Sequence, residues 1–206
     1  MTDAFQLLGE PRLPWLDVGA LKDRFIQLSS GVHPDRVHSA SPAEKEAANH
    51  RYAELNAAYG KLRDFRDRLL HLMELELGAA PKDIQRIPPG TMDLFVEVGQ
   101  TCRDCDAFLA RKSSSDSPMF KLQMMREGFT WTDKLTELAG RIEKRRAELE
   151  AEVKALNPVW EAAPPVGETT RKGQLPLERL EQIYRIASYI SRWKEQVQER
   201  VVQLAV

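Results

Sequence analysis

No histidine occurs after His71 in this chain of 206 residues, and cysteine appears only twice, as Cys102 and Cys105. The C-terminal part therefore lacks the imidazole that acid–base and zinc chemistry most often use. Two thiols alone cannot complete a four-ligand zinc site or staple a small secreted scaffold. No apolar run approaches the roughly 20 residues that span a bilayer. The opening Met-Thr-Asp-Ala-Phe lacks the basic-then-apolar order of a secretory signal. An excess of one charge is missing too: 30 Lys+Arg stand against 31 Asp+Glu, a net charge of -1. A neutral balance argues against nucleic acid as the main partner, because phosphate binding needs clustered positive charge. These absences lead to the expectation of a cytoplasmic protein with reduced thiols and no membrane partner.

What is present is helical pattern. Hydrophobic residues make up 42% and charged residues 30%, enough for a packed core beneath a well-solvated surface. A short apolar segment, Phe5-Gln6-Leu7-Leu8, ends at Gly9. From Asp17 to Gly31, apolar residues fall at Val18, Leu21, Phe25 and Leu28. From Pro42 to Leu62 they fall at Ala48, Tyr52, Leu55, Tyr59 and Leu62. This three-four spacing puts one apolar stripe on each helix, so the two are predicted to pack as an antiparallel pair. Ser41-Pro42-Ala43-Glu44 has the form of a capping box. A further helix is predicted from Asp64 to Leu77. Residues 78–91, with three prolines and two glycines, read as a linker between domains. Beyond it, Met92–Lys112, a stretch from Pro118 toward Pro158 and Pro176–Leu204 carry three apolar seams, expected to close as an antiparallel three-helix bundle. Gly128 is a place where the middle helix can bend or break, and Trp160–Gln174 reads as a loop. No strand-like alternation appears. The fold class is all-α, with domains at 1–77 and 92–206.

Between the first two long helices sits His33-Pro34-Asp35, a short, polar, proline-stiffened loop held out from a rigid hairpin, which is the build of a contact loop. Taken in order, Phe5-Gln6-Leu7-Leu8-Gly9, Ala20-Leu21-Lys22-Asp23-Arg24-Phe25, His33-Pro34-Asp35-Arg36 and Leu55-Asn56-Ala57-Ala58-Tyr59-Gly60-Lys61-Leu62 resemble a J-domain, the module that stimulates DnaK-type chaperones. With a helical C-terminal part, the whole resembles the HscB subfamily, co-chaperones of iron–sulfur cluster assembly.

That resemblance implies a regulatory protein without chemistry or cofactor of its own. His33, Pro34 and Asp35 would dock on an ATP-bound DnaK/HscA-type chaperone, Asp35 pairing with an arginine there. Proline fixes φ and lowers the entropy lost on docking. A carboxylate matches a guanidinium fork. Lys22, Arg24 and Arg36 would steer the encounter. The turn before the tripeptide, Ile26-Gln27-Leu28-Ser29-Ser30-Gly31-Val32, departs from the family by lacking its usual basic residues. The resemblance also implies a client surface at Leu94, Phe95, Glu97 and Val98, receiving an iron–sulfur scaffold protein; Gly99 and Cys102 stand where the family has acidic residues. On spacing alone Phe95 and Val98 face the bundle core, leaving Leu94 and Glu97 for contact. The alternative function is a structural adaptor with a degenerate J-domain. Both monomer and homodimer fit the sequence.

The remaining motifs have simpler readings. Cys102-Arg103-Asp104-Cys105 is half a zinc site, a redox pair, or two core thiols on the stripe of their helix, and the last is favoured. His33, Asp35 and His38 lie too close in one loop to converge on a metal, so neither metal site nor enzyme activity is expected. His50 and His71 read as surface or boundary residues. Met119, Met124 and Met125 read as core rather than as an adaptable contact surface.

Overall fold

The computed structural model describes residues 2–33, 41–81, 90–112 and 117–205. They form eight helices with no strand among them: α1 (Ala4–Leu8), α2 (Val18–Ser29), α3 (Pro42–Arg63), α4 (Phe65–Leu77), α5 (Met92–Lys112), α6 (Pro118–Ala162), α7 (Arg171–Gln174) and α8 (Leu177–Ala205). The chain is all-α. It divides into two compact units, Met1–Asp83 with Glu150–Tyr184, and Ile84–Leu149 with Arg185–Val206.

In the first unit, α3 packs against α1, α2 and α4. Local chemistry sets the helix ends. Asp17 caps α2 by accepting the Ala20 N–H, and Ser41 with Glu44 forms the capping box of α3. Asp64 ends α3 in extended backbone and caps α4 by accepting the Asp67 N–H, so one residue turns the chain between two helices. Gly9 ends α1 at φ 68°, the left-handed conformation that glycine adopts without strain. The α2–α3 pair is antiparallel: Phe25 stacks on Tyr59 at 4.7 Å between centroids and tilts against Tyr52 at 6.4 Å, while His33, later in the chain, meets Tyr52 edge-on at 5.3 Å. Leu21, Leu55 and Leu62 fill the space beneath.

Buried polar side chains shape this unit. Arg68 donates through Nε to the Pro14 carbonyl at 3.1 Å and through Nη1 to the Leu62 carbonyl at 2.7 Å. His71, which the sequence places at a surface or boundary, is a core residue at 1% exposure. Its Nε2 accepts the Ala4 N–H at 3.0 Å and its ring stacks on Phe5 at 5.9 Å, binding α1 to α4.

The stretch Trp160–Gln174, expected as a loop, is helical at both ends, with turns between Ala163 and Thr170. Helix α6 runs through Pro158 to Ala162, Trp160 is buried, and α7 follows. Arg171 of α7 is buried with a bidentate pair to Glu76 of α4, at 2.9 and 2.8 Å, and donates to the Pro164 carbonyl. Asn157 and Trp15 exchange hydrogen bonds, Asn157 Oδ1 accepting the Trp15 N–H at 3.0 Å and Nδ2 donating to the Trp15 carbonyl at 2.9 Å.

In the second unit, cross-helix pairs fix direction. Arg111–Glu127 and Phe108–Trp131 run α6 antiparallel to α5. Arg200 on Asp106 and Lys112 on the Leu204 carbonyl run α8 parallel to α5. Glu143–Lys194 sets α6 antiparallel to α8. This up-down-up order is the antiparallel three-helix bundle. Its seams bury Leu135, Leu138, Ile142, Ile186, Ile190, Trp193 and Val197, and Gly128 leaves α6 unbroken.

Candidate functional site: a loop end and a helix surface

The aromatic column Tyr59–Phe25–Tyr52 leads along the α2–α3 hairpin to His33, which stands half-buried at its end. The rings pair at stacked, tilted and edge-on angles with centroids 4.7–6.4 Å apart, the range that aromatic pairs favour. His33 is thereby anchored at the point where the chain leaves the hairpin. Pro34, Asp35 and Arg36, as well as His38, lie outside the described residues. Of the two other predicted contact residues, Lys22 is exposed on α2. Arg24 also braces the fold, since its Nε donates to the Leu8 carbonyl at 3.1 Å and its Nη1 to Gln27 at 2.9 Å. A side chain at Gly9 would place its Cβ 2.8 Å from Arg24 Nη2, so glycine there also makes room for this brace. Arg24 holds the end of α1 against α2, and its charge is partly spent on that bond.

On α5 the four predicted residues divide by face. Val98 is 1% exposed and lies in the core, out of reach of a partner. Leu94 is half-buried. Phe95 keeps 38% exposure while resting against Tyr189 and Trp193, each 6.4 Å away. Glu97 is half-buried and pairs with Arg141 of α6, which also meets Glu137 at 3.4 Å. Two residues outside the predicted set complete the outer face: Met92 and Val96, at 52% and 56% exposure. The signal for them is present in the sequence. Leu94-Phe95-Val96 is three apolar residues in a row, which sweeps about 200° around a helix, wider than one core-facing stripe, so at least one must edge away from the core.

Beside this face lies a groove of about 310 Å³ lined by Glu97, Thr101, Asp104, Trp131, Lys134, Glu137 and Arg141. Lys134 Nζ sits 4.7 Å above the Trp131 ring. Charges of both signs are largely neutralised against each other, so the groove is polar without strong field. Cys102 and Cys105 are buried free thiols of the core, and burial raises both above the usual thiol range, which makes them poor nucleophiles. No group of three or more His, Cys, Asp or Glu able to hold a metal occurs among the described residues.

No protein-family model matches the chain. A co-chaperone protein HscB homolog of Bordetella petrii is 40% identical over 72 residues, 35% of this chain and 42% of that protein. One of Ralstonia nicotianae is 33% identical over 106 residues, 50% of this chain and 59% of that protein. The chain thus spans about half the length of the curated relatives it matches. The crystal structure of human co-chaperone protein HscB aligns with a TM-score of 0.61 at 18% identity, over 96% of this chain and 81% of that one. The chain is HscB-like in sequence along part of its length and in fold along nearly all of it.

Proposed function

We propose that this chain is a co-chaperone of the HscB type, which stimulates the ATPase of a DnaK/HscA-type chaperone through His33-Pro34-Asp35 and presents an iron–sulfur scaffold protein on the outer face of α5. The observation that carries the reading is the stacked antiparallel hairpin ending on His33, in a chain whose relatives are named co-chaperones. The mechanism needs no bond-making in this protein. A loop that binds the hydrolysing conformation of its chaperone better than the resting one shifts the population toward hydrolysis. A rigid hairpin beneath the loop and the fixed φ of Pro34 serve this end, because fewer degrees of freedom are then lost on docking. In this division residues 1–77 face the chaperone, 78–91 link, and 92–206 face the client.

The test is ATP turnover by the host's DnaK-type chaperones, alone, with the wild type and with Asp35→Asn. The wild type is expected to raise turnover. Asp35→Asn is expected to lose roughly tenfold of the effect, the value of one charge-assisted hydrogen bond. Stimulation that survives Asp35→Asn removes the tripeptide from the mechanism. Client binding is checked by pull-down of the scaffold protein, which Leu94→Ser is expected to abolish while leaving ATP turnover stimulated.

One observation favours a second reading, a structural adaptor whose J-like unit does not drive hydrolysis. Arg24 is engaged with Leu8 and Gln27, and the turn before His33 carries no cation, so Lys22 is the exposed cation of α2. Absence of any stimulation by the wild type selects the adaptor.

A further inference from the structure

The start of α6 exposes Met119 and Met125, which the sequence reads as core, at 85% and 58%. Nothing there shows what covers them. Ile26 of α2 is different: at 51% exposure it stands in the last helical turn before His33. A single exposed apolar side chain is common on any surface, so its place decides its meaning. Leu21, Phe25 and Leu28 form the stripe of α2 that packs toward α3. Ile26 lies about 130° round the helix from the centre of that stripe. Its own unit does not bury it. Helix propensity does not favour it either, since a β-branched side chain is a weaker helix former than the straight-chain residues.

The surroundings of Ile26 are polar but neutral. Helix α2 has no basic residue in its last turn. Ser29 Oγ donates to the Ile26 carbonyl at 3.4 Å and Ser30 Oγ to the Gln27 carbonyl at 2.9 Å. Gln27 Oε1 accepts from Arg24 Nη1 at 2.9 Å. These polar groups are engaged within the helix, and the carbonyl end of a helix carries partial negative charge. The wider segment is balanced as well. From Asp17 to Arg36, Lys22, Arg24 and Arg36 stand against Asp17, Asp23 and Asp35. A neutral face gives no long-range attraction toward an acidic surface. Val18, at 45% exposure, Lys22 and Ile26 follow one another at steps of four, within about 80° of the helix. That line runs along the hairpin toward the loop.

We propose that Ile26 is a specificity-determining contact for the chaperone. It seats on an uncharged, apolar part of the chaperone beside the place where His33-Pro34-Asp35 docks. Docking is then carried at short range instead of by steering between opposite charges. This rests on the co-chaperone reading and adds the chemistry of the partner. A chaperone that presents carboxylates at that place is a poor match, because they would lose water against Ile26 with no cation to pair.

The experiment titrates the ATP turnover of the host's DnaK-type chaperones with the full chain, as wild type, Ile26→Leu, Ile26→Ser and Ile26→Lys. It is run at about 50 and about 300 mM potassium chloride, each rate divided by the basal rate at that salt. The half-maximal concentration of the wild type is expected to change less than about threefold between the two salts. Ile26→Leu is expected to keep it, Ile26→Ser to raise it roughly fivefold, and Ile26→Lys to raise it at least as far. The position is exposed, so the variants keep the fold, which helical circular dichroism verifies. Tighter docking of Ile26→Lys means an acidic counter-surface and overturns the proposal. So does a wild-type value that changes more than about threefold with salt, or an Ile26→Ser that acts like the wild type. In each of these cases stimulation persists and the co-chaperone reading stands. A wild type that does not stimulate at all overturns both.

Discussion

His71 shows how one side chain ties sequence to pH. Its Nε2 accepts the Ala4 N–H, so the neutral ring carries its proton on Nδ1, which lies 3.8 Å from the Glu74 carboxylate. Burial is the main cause that lowers its pKa below the usual value near 6.5, and the positive charge of Lys61 acts the same way; Asp3 and Glu74 oppose them. A second proton would land on Nε2 and face the Ala4 N–H, donor against donor. The folded chain therefore prefers neutral His71. Above about pH 6.5 both folded and unfolded chains hold it neutral, and its full contribution to stability is present. As pH falls below that value, the unfolded chain takes up a proton that the folded chain refuses, and stability drops by up to about 1.4 kcal/mol per pH unit until the lowered folded pKa is reached. His71→Phe keeps a ring against Phe5 but leaves the Ala4 N–H without its acceptor. It is expected to cost about 1–3 kcal/mol at pH 7.5 and less at pH 5.5. Urea midpoints of both proteins at the two pH values check this, and a difference that does not change with pH excludes His71 as the titrating group.

At the scale of elements, α6 separates what the sequence can announce from what it cannot. Leu135, Leu138, Ile142 and Leu149 recur at heptad spacing and are all buried, so the inner seam of the helix was readable from its period alone. The α2–α3 hairpin was readable for the same reason: Leu21 and Phe25, Tyr52 and Tyr59, and the capping box at Ser41 are local signals. The C-terminal end of α6 was not, although its start at Pro118 was. Pro158 and the prolines and glycine after it signal a break, yet the helix passes Pro158 because its packing outweighs one missing N–H. The spacing of α5 places Val98, Cys102 and Cys105 in the core, as found, but it also places Phe95 there; that Phe95 stays 38% exposed against Tyr189 and Trp193 depends on α8, which no spacing within α5 encodes. Gly128 gives a direct test of the unbroken helix. It has an ordinary helical backbone, and an added Cβ would meet Phe108 at 3.9 Å, normal van der Waals contact. Gly128→Ala should therefore stabilise the chain by roughly 0.5–1 kcal/mol through helix propensity and reduced unfolded-state entropy. A thermal melt that shifts downward instead would show that the helix bends at this residue.

For the molecule as a whole, the consequential contact is the one that no local reading supplies. Glu76 and Arg171 stand 95 positions apart, with side-chain exposures of 3% and 8%, joined by two hydrogen bonds. Read from residues 1–77 alone, Glu76 is one more acid near the end of a helix, and Arg171 belongs to a proline- and glycine-rich segment. Folding brings them together inside the unit that also holds the J-like helices, so that unit includes Glu150–Tyr184 as part of its packing. A buried ion pair adds little net stability, because desolvation offsets the attraction, but removing one partner strands the other charge. Arg171→Met is thus expected to destabilise the chain by about 3–5 kcal/mol, while Glu76→Leu combined with Arg171→Met should recover most of that loss. Urea unfolding of the wild type, the single and the double variant measures both steps. A single variant that loses less than about 1 kcal/mol would mean that water reaches Glu76 and that the segment around α7 is not held by this pair. A double variant no better than the single one would place the cost in lost packing of the arginine stem instead of in the unpaired carboxylate.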